Sequence, residues 1–507
     1  MTRTPRRRGR RALAALAAVA LLVIPGCVES EPGPTSSPDI VVPTPPPPLL
    51  EPGPSPSAAQ PPSAPSGGNG GGGGALTTTE MSIDPSKGQQ TMSGLGVNAN
   101  VHSWKNGQLK PAIARYAALG PVTWRVIIEK ADWEPSQVGN PDVIDPAYYH
   151  GIFEAPKMQD LWNTVAYIES FPNQTVSLSV MGGVAPWMGG TTVLPDKEDY
   201  WVRMIAALLD YGRRTKGLQL DLISPLNEPD WNGIEGPKVD AGQMTDLLDK
   251  LSKRLDGLGM GDVRFVVPDT ASAEVASSTY LPVLLKNPVV AAKIAHVGIH
   301  SYDGKAGSVP ELVSGSSVAA AGTWATEFNS QCDGCDTGTE QADTWDHALE
   351  MASDLLSLID QGASGGQLYD AWDGYYEHHQ SVGYWGALKY DPSTGIYSPR
   401  SSFTILALFL EGIPAGAVHV ASQGANALTS EAFSAGPTGQ ISVVGANPTA
   451  SAQRFRVSIK GQPASRAKVI TAGPSTGGAV TTDAAVEDGA VLVSVPADSV
   501  FVVRDIR

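Results

Sequence analysis

The sequence predicts an α/β protein in which a (β/α)8 TIM barrel precedes a C-terminal β-sandwich. Three observations lead to this prediction. Short apolar runs alternate with amphipathic segments over residues 76–412, as in repeated βα units. After Gly412 the pattern changes to short alternating segments separated by turn residues, which is typical of a sandwich. The chain of 507 residues is long enough for both domains and for an N-terminal extension.

Eight apolar runs are candidates for the barrel strands. They cover residues 94–101, 122–128, 176–181, 218–226, 263–267, 294–300, 322–328 and 367–372. The clearest amphipathic helices between them are 158–171, 200–214, 243–258 and 344–361, and a last helix is expected near 401–411. A doubly wound open sheet is the alternative, but no glycine-rich dinucleotide turn follows any strand. The count of eight therefore favours a barrel spanning residues 76–412.

The C-terminal part is predicted to contain only strands. Alternating segments lie at 418–421, 440–444, 453–459, 468–471 and 491–495, with a final apolar run at 500–503. These patterns indicate a β-sandwich over residues 413–507. Because the segment has few aromatic residues, a structural domain packed against the barrel is favoured over a carbohydrate-binding module.

The N-terminus has the pattern of an export signal. Six arginines precede an apolar run at 12–24 that is too short to span a bilayer, and Pro-Gly-Cys27 follows. This resembles a bacterial lipobox, which predicts a lipoprotein signal at 1–27 with lipidation of Cys27. Ordinary cleavage nearby is the alternative, and Arg10-Arg11 also permits twin-arginine export. Residues 28–75, rich in Pro, Ser and Gly, are expected to form a disordered linker, either a tether to the membrane or a plain linker without function.

Composition limits the partners. The formal charge of −16 argues against nucleic acid, because binding a polyanion requires a basic surface. A neutral carbohydrate substrate outside the cell fits this acidity. We expect no cofactor, no metal ligands and a monomeric protein.

Cysteine usage gives one local prediction. Only three cysteines are present, so no disulfide framework holds the fold. Cys332 and Cys335 lie in an Asp/Gly loop without further zinc ligands nearby and not before a helix, as a redox pair would. A small disulfide that closes the loop is therefore favoured over a redox or zinc motif.

In a barrel, functional side chains lie at the carboxyl ends of the strands. Two glutamates occupy such positions: Glu228 in Asn-Glu-Pro after the fourth strand and Glu327 in Trp-x-x-Glu at the end of the seventh. Glycoside hydrolysis requires two carboxyl groups, one protonated and one ionised. Asn227 is placed to bind a sugar 2-hydroxyl. Either glutamate alone could be a surface charge or a partner for Arg125, but together they predict a glycosidase.

The other strand ends carry groups suited to sugars. Amide, imidazole, guanidinium and aromatic side chains can bind hydroxyls and stack on sugar rings, and no nucleophile elbow, phosphate loop or histidine pair with metal spacing accompanies them. These candidates are Asn98, Asn100, His102, Arg125, Glu129, Trp187, Asp269, His300, Tyr302, Asn329, Trp372 and Asp373. His300 as a satisfied core histidine and Trp372 as packing are the structural alternatives.

These motifs resemble those of clan A glycoside hydrolases, and most closely family 30. The start of the folded part, Ile83-Asp84-Pro85-Ser86-Lys87 and then Gln90 to Gly96, is also similar to that family. The resemblance implies that residues 76–90 join the C-terminal sandwich. It implies that Glu228 is the acid/base and Glu327 the nucleophile.

By the same resemblance, six residues would line the glycone subsite: Arg125, Trp187, Asn227, His300, Tyr302 and Trp372. The segment Val97-Asn98-Ala99-Asn100 and the loop with Cys332 and Cys335 depart from the family pattern. The sequence therefore predicts a retaining β-glycosidase or endo-β-glycanase at the cell surface, with the sugar left open. A non-catalytic carbohydrate-binding lipoprotein is the alternative.

Overall fold

The computed structural model describes residues 78–129, 134–341, 343–424, 428–436, 439–476 and 478–506. All of them belong to one compact unit, residues 74–507. The predicted signal, Cys27 and the tether lie outside the described residues. No helix of the described part is both long enough and apolar enough to cross a bilayer.

Eight parallel strands close into a barrel in the order of the chain. An N-terminal strand, β1 (Thr78–Thr91), precedes them. The barrel strands are β2 (Gly94–Asn100), β3 (Thr123–Glu129), β4 (Thr175–Met181), β5 (Leu222–Ser224), β6 (Arg264–Val266), β7 (Ile294–Ser301), β8 (Thr323–Phe328) and β9 (Ala363–Leu368). Strands β2, β3 and β8 are buried along their whole length, as expected for parallel strands covered on both faces. The predicted barrel is confirmed.

Helices surround this barrel. They are α1 (Lys110–Ala117), α2 (Pro146–Phe153), α3 (Pro156–Glu169), α4 (Glu198–Arg214), α5 (Ala241–Gly257), α6 (Ala273–Val275), α7 (Leu281–Leu284), α8 (Pro288–Lys293), α9 (Val309–Ser314), α10 (Trp345–Asp360) and α11 (Ser401–Gly412). The starts of α5 and α10 are fixed by side-chain caps, because Asp240 accepts from Gln243 N at 2.8 Å and Thr344 from His347 N at 3.4 Å. The four helices predicted most clearly match α3, α4, α5 and α10 within two residues at each end.

Two barrel strands differ from the prediction. β5 has three residues where 218–226 was expected, because Leu220 has a positive φ of 39° that interrupts extended backbone. β9 begins four residues earlier than predicted and contains Gly365 and Gly366. A Cβ at Gly365 would lie 2.8 Å from the carbonyl oxygen of Gly94 on β2, so the strands approach closely only with glycine there. A search for apolar runs misses the start of such a strand, because its first residues are small or polar.

Two small hairpins follow the barrel's last strand and were not predicted. The first pairs β10 (Gly374–Tyr376) with β11 (Ser381–Gly383), and the second pairs β12 (Leu388–Asp391) with β13 (Ile396–Pro399). The turn of the first hairpin, residues 377–380, carries two adjacent histidines.

The remaining strands form the sandwich. They are β14 (Val418–Gly424), β15 (Thr429–Ala435), β16 (Gln440–Asn447), β17 (Gln453–Ile459), β18 (Lys468–Ala472), β19 (Val480–Asp483), β20 (Ala485–Glu487), β21 (Ala490–Val495) and β22 (Ser499–Arg504). The hydrogen-bonded order is β19-β18-β22-β16-β15-β14-β1-β17-β21-β20. Phe455 on β17 and Phe501 on β22 are far apart in this order, yet their rings are 5.4 Å apart. The sheet therefore folds back onto itself, which confirms the predicted sandwich.

Barrel and sandwich meet in a shared buried apolar cluster, and the sandwich has a second buried cluster of its own that includes Phe455 and Phe501. Phe433, Val444 and Val502 from the sandwich belong to the same buried cluster as the barrel interior and α11. The hydroxyl of Ser442 donates to the carbonyl of Gly412 at 2.6 Å, and a Cβ at Gly412 would lie 2.4 Å from Val444 Cγ2. The close approach at Gly412 fixes the last barrel helix against the sandwich.

Candidate active site

Glu228 lies at the start of the loop after β5, in an unusual backbone conformation. Its φ is +42°, in the left-handed region that non-glycine residues seldom adopt. Its backbone N–H donates to the carbonyl of Asp269 at 2.9 Å, and Asp269, after β6, also has a positive φ of 57°. Two neighbouring strand ends thus hold each other, and this contact fixes the direction of the Glu228 side chain.

Glu327 lies near the end of β8 and meets Glu228 at one histidine. Nδ1 of His300, from β7, is 2.8 Å from Glu228 Oε1 and 3.3 Å from Glu327 Oε2. A carboxylate oxygen of each glutamate and a ring nitrogen of His300 lie within 4.8 Å of one another. The glutamate side chains keep 12% and 5% of their surface exposed. The structure therefore brings both predicted carboxyl groups to one place.

Arg125, from β3, anchors this arrangement from below. Its Nη1 donates to Glu327 Oε1 at 2.6 Å and to Asn98 Oδ1 at 2.7 Å. Its Nη2 donates to Asn227 Oδ1 at 2.6 Å and to Asp269 Oδ2 at 2.8 Å. Arg125 is almost fully buried, so it orients the carboxylate and presents little surface to a ligand.

Asp269 completes the buried charge network. Its carboxylate accepts hydrogen bonds from Ser224 and Thr326, each at 2.5 Å, and lies 3.5 Å from His300 Nε2. Burial alone would raise its pKa, but the charge of Arg125 and the bond with His300 hold the pKa of Asp269 well below its usual range. The charges of Asp269 and Glu327 raise the pKa of Arg125 against the opposing effect of burial.

The environment of Glu228 raises its pKa above that of an ordinary glutamate. Burial raises its pKa to about 7, the His300 hydrogen bond opposes that rise, and the charges of Glu327 and Glu235 add to it. For His300, burial lowers the pKa, but the charge of Glu327 and the contacts with Asp269 and Glu228 outweigh it and raise the pKa to about 10. Glu228 is thus protonated below about pH 7, where an ordinary glutamate would already be ionised.

Tyr302 supports Glu327 from the side of the cleft. Its hydroxyl donates to Glu327 Oε2 at 2.8 Å, so both oxygens of this carboxylate accept a hydrogen bond. Burial and then the charge of Glu327 raise the pKa of Tyr302 well above its usual value. The hydroxyl therefore stays protonated and remains a donor.

The two glutamates open into a cleft. A cavity of about 360 Å³ lies in front of them. It is lined by Met181, Asn227, Glu228, Trp231, Glu235, Ala271, Tyr302, Glu327, Gln331, Asp336, Tyr369 and Trp385. A second hollow of about 610 Å³ shares Ala271, Tyr302 and Gln331 with it. Trp231 is 55% exposed at the cavity, where its ring can stack on a sugar.

Four of the six predicted sugar contacts do not line this cavity: Arg125, Trp187 and Trp372 are absent from its lining, and His300 lines the second hollow only. Trp372 is fully buried, its indole N–H donates to the carbonyl of Asn100 at 3.1 Å, and its ring packs near Trp124. The prediction that Trp372 touches substrate is wrong for this structure, because no face of its ring is accessible. Trp187 donates to the carbonyl of Glu134 at 2.7 Å and lies outside the cavity lining.

Sequence reasoning missed part of the cavity wall. Glu235 comes from the loop after β5, Asp336 from the loop after β8, and Trp385 from the segment between the two hairpins. Trp385 Nε1 donates to Asp336 Oδ1 at 2.6 Å, which joins two of these loops. Glu235 has a signal in the sequence, since it lies seven residues after Glu228. Asp336 and Trp385 have none, because their proximity depends on loop paths.

The cysteine loop borders this wall. Cys332 and Cys335 are joined by a disulfide with Cα atoms 5.7 Å apart, and Gln331 and Asp336 on either side both line the cavity. The backbone N–H of Tyr384 donates to the carbonyl of Cys335 at 3.0 Å. The disulfide therefore belongs to a loop that shapes the cleft.

The fold of this chain is similar to that of known proteins, although its sequence is not. No protein-family model and no curated protein matches the sequence. Among solved structures, the chain has the fold of clan A glycoside hydrolases, and family 30 structures are prominent among them, so the predicted resemblance in fold is confirmed.

One of these structures is the catalytic domain of a family 30 xylanase C from Talaromyces cellulolyticus. It is 16% identical with a TM-score of 0.66, covering 84% of this chain and 99% of that one. An endo-β-1,6-glucanase is 17% identical with a TM-score of 0.60, covering 85% and 94%. A family 51 arabinofuranosidase from Xanthomonas axonopodis pv. citri is 12% identical with a TM-score of 0.56, covering 84% and 99%.

Proposed function

We propose that this protein is a retaining glycoside hydrolase that cleaves β-glycosidic bonds by double displacement. The observation that carries the proposal is the pair Glu228 and Glu327, whose carboxylate oxygens lie within 4.8 Å of each other at one cavity. Retaining enzymes have carboxyl groups about 5–5.5 Å apart, whereas inverting pairs are about 6.5–9.5 Å apart to admit a water. The separation supports retention.

The environments of the two glutamates support different roles for them. Glu327 accepts hydrogen bonds at both oxygens, from Arg125 and Tyr302, which hold its carboxylate in a fixed orientation for attack on the anomeric carbon. Glu228, with its raised pKa, donates its proton to the departing glycosidic oxygen. The glycosyl–Glu327 ester then reacts with water, whose proton passes to Glu228, and the free carboxylate of Glu327 is released. Atoms and charges balance over the two steps.

Support for a carbohydrate substrate comes from the cavity and from the fold. Aromatic rings at Trp231, Trp385 and Tyr369 line the cavity together with carboxyl and amide groups. The similar structures include xylanases, a β-1,6-glucanase and an arabinofuranosidase, so one fold carries several sugar specificities. We therefore propose a β-linked polysaccharide or oligosaccharide and leave the sugar to a substrate screen.

The proposed place of action is outside the cell. The predicted signal at 1–27 and lipidation of Cys27 would hold the enzyme at a bacterial surface, where polysaccharides are accessible. The non-catalytic alternative is not favoured, because both carboxyl groups are present and face a common cavity.

The decisive experiment replaces the nucleophile. Glu327→Gln is expected to lower kcat on an activated aryl β-glycoside by more than about 10³-fold, because the amide cannot form the glycosyl intermediate. Added azide should restore turnover and yield the glycosyl azide of inverted configuration. Glu311→Gln, an exposed glutamate away from this cavity, is the matched control and should keep full activity.

The same assay distinguishes the alternatives. NMR of the first product should show the retained anomer, and an inverted anomer would contradict the double displacement. A screen over xylan, β-glucans, galactans and aryl glycosides that gave affinity without cleavage would favour the binding protein instead.

A further inference from the structure

A second cluster of ionisable side chains borders the cavity, and none of its members takes part in the bond-making or proton-transfer steps described above. Glu235 faces His378 and His379, which lie in the turn of the hairpin β10–β11. Glu235 Oε2 is 3.0 Å from His378 Nε2, and Oε1 is 3.3 Å from His379 Nε2. No metal ligands were expected from the sequence, because no paired histidines with metal spacing stand at the strand ends.

The contacts between these groups are close to the spacing of ligands around one ion. Bonds of about 2.0–2.2 Å to zinc at tetrahedral angles place neighbouring donor atoms about 3.3–3.6 Å apart. The contact of 3.3 Å lies at the lower edge of that range, and the contact of 3.0 Å lies just below it. Nε2 of His378 makes no hydrogen bond among the described residues, although it is almost completely buried with 4% of the side chain exposed. Glu235 Oε2 is 3.0 Å from this nitrogen, but the direction is unsuitable for a hydrogen bond from a ring N–H.

The other side of His378 is held as in a metal ligand. Its Nδ1 lies 2.5 Å from Glu129 Oε1 at the end of β3. Metal-binding histidines usually donate their second ring N–H to a carboxylate, which fixes the ring and exposes the lone pair of the other nitrogen. Glu129 therefore directs Nε2 of His378 towards Glu235 and His379, whose ring centroid is 4.3 Å from that of His378.

We propose that Glu235, His378 and His379 bind a divalent transition metal, with zinc as the best match to two imidazole nitrogens and one carboxylate oxygen. Three protein ligands leave one tetrahedral position, which water would fill. Because Glu235 also lines the cavity, the proposed site lies at the border of the substrate cleft. The site joins the loop after β5 to the first hairpin, and it does not rest on the proposed hydrolase activity.

The test measures zinc binding directly. The full chain, with its disulfide intact, is stripped of metal with a chelator, titrated with ZnCl2 by calorimetry and then examined by X-ray absorption. We expect one high-affinity zinc per chain with two imidazole ligands. His379→Ala, at a partly exposed turn position, should weaken zinc binding at least about 100-fold, and Glu129→Gln about 10–100-fold.

Control variants separate this site from other zinc ligands. His150→Ala, an exposed histidine on α2, and Glu327→Gln, in the other group of possible ligands, should bind zinc as the unaltered chain does. Zinc binding that is unchanged in His379→Ala and in Glu235→Gln, or that is lost in Glu327→Gln, would overturn the proposal. So would absence of a one-to-one complex, since the three groups would then form an ion-pair cluster only. Circular dichroism of each metal-free variant checks that it is folded.

Discussion

At the residue scale, the site depends on the different environments of two glutamates, Glu228 and Glu327. Glu327 is surrounded by donors, whereas Glu228 is buried beside another carboxylate. His300 Nδ1 lies between them and Nε2 faces Asp269, so a single imidazole contacts three carboxyl groups. The pKa of Glu228 is thereby set by fixed neighbours, and a change of pH should reveal its role.

The pH profile is predicted to have its alkaline limb at Glu228. Since the protonated carboxyl is the active form, kcat/KM should fall as the pH rises through about 7 and should be retained below it. The measurement is kcat/KM from pH 5 to 9 on an aryl glycoside whose leaving group needs no proton, compared with one that does. In Glu228→Gln the alkaline limb should disappear, and a limb that persisted unchanged would assign it to another group.

Residue types at strand ends were the part of the site that the sequence could predict. Arg125, His300, Tyr302 and the two glutamates were found this way because parallel strands bring their carboxyl ends to one rim. Trp372 shows the limit of this reasoning, since its place after a strand did not reveal that its ring turns into the core. Side-chain direction depends on the local register, which a pattern of residue types does not contain.

At the element scale, the loop after β5 fixes the acid/base candidate through close backbone contact. A Cβ on Gly236 would lie 1.7 Å from the carbonyl oxygen of Asn227, and Asn227 Nδ2 donates to the carbonyl of Glu235 at 3.0 Å. No flexible side chain can move aside there. The loop must shift as a whole if this space is filled.

Gly236→Ala is therefore predicted to displace Asn227 and Glu228 together. We expect kcat/KM to fall at least about tenfold, because small misplacements of reacting groups carry large rate costs. Steady-state kinetics and thermal unfolding measure the effect. Gly257→Ala, at the end of α5 with open space around it, is the matched control and should keep full activity. Equal kinetics of both variants would show that the loop tolerates the shift.

Secondary structure was predictable where apolar periodicity was strong. Helices α3, α4, α5 and α10 and strand β17 lie where the pattern put them, because each buries one regular face. The hairpins after β9 were missed, because each of their strands is only three or four residues long and the strands carry mixed polar and aromatic side chains. The turn of the first hairpin contains His378 and His379, and Trp385 lies between the two hairpins. Missing these elements therefore meant missing the residues that they bring to the cavity.

At the scale of the whole molecule, barrel and sandwich are one packing unit. The buried cluster runs without interruption from the barrel helices to strands β15, β16 and β22. Strand β1 extends this unit, because it pairs antiparallel with β14 and parallel with β17. The boundary near residue 412 that the sequence predicted therefore runs through a shared buried cluster, beside which the sandwich has a second buried cluster of its own.

Residues 74–507 are accordingly predicted to unfold in one cooperative transition. Differential scanning calorimetry should give a calorimetric enthalpy equal to the van't Hoff enthalpy for this unit. Gly412→Val, whose side chain would meet Val444 and Val502, should lower the Tm of the entire transition. Two separable transitions, or a variant that shifted only one of them, would contradict the shared core.

The pairing of β1 also sets an order of events during synthesis. Met81 and Ile83 are buried against strands that begin more than 330 residues later, at Val418 and Gln453. Until the ribosome has translated that far, this first strand has neither neighbour, and its apolar side chains remain uncovered. A polypeptide that terminates early therefore keeps an unpaired leading strand, a feature by which proteases could recognise an incomplete product before it reaches its destination.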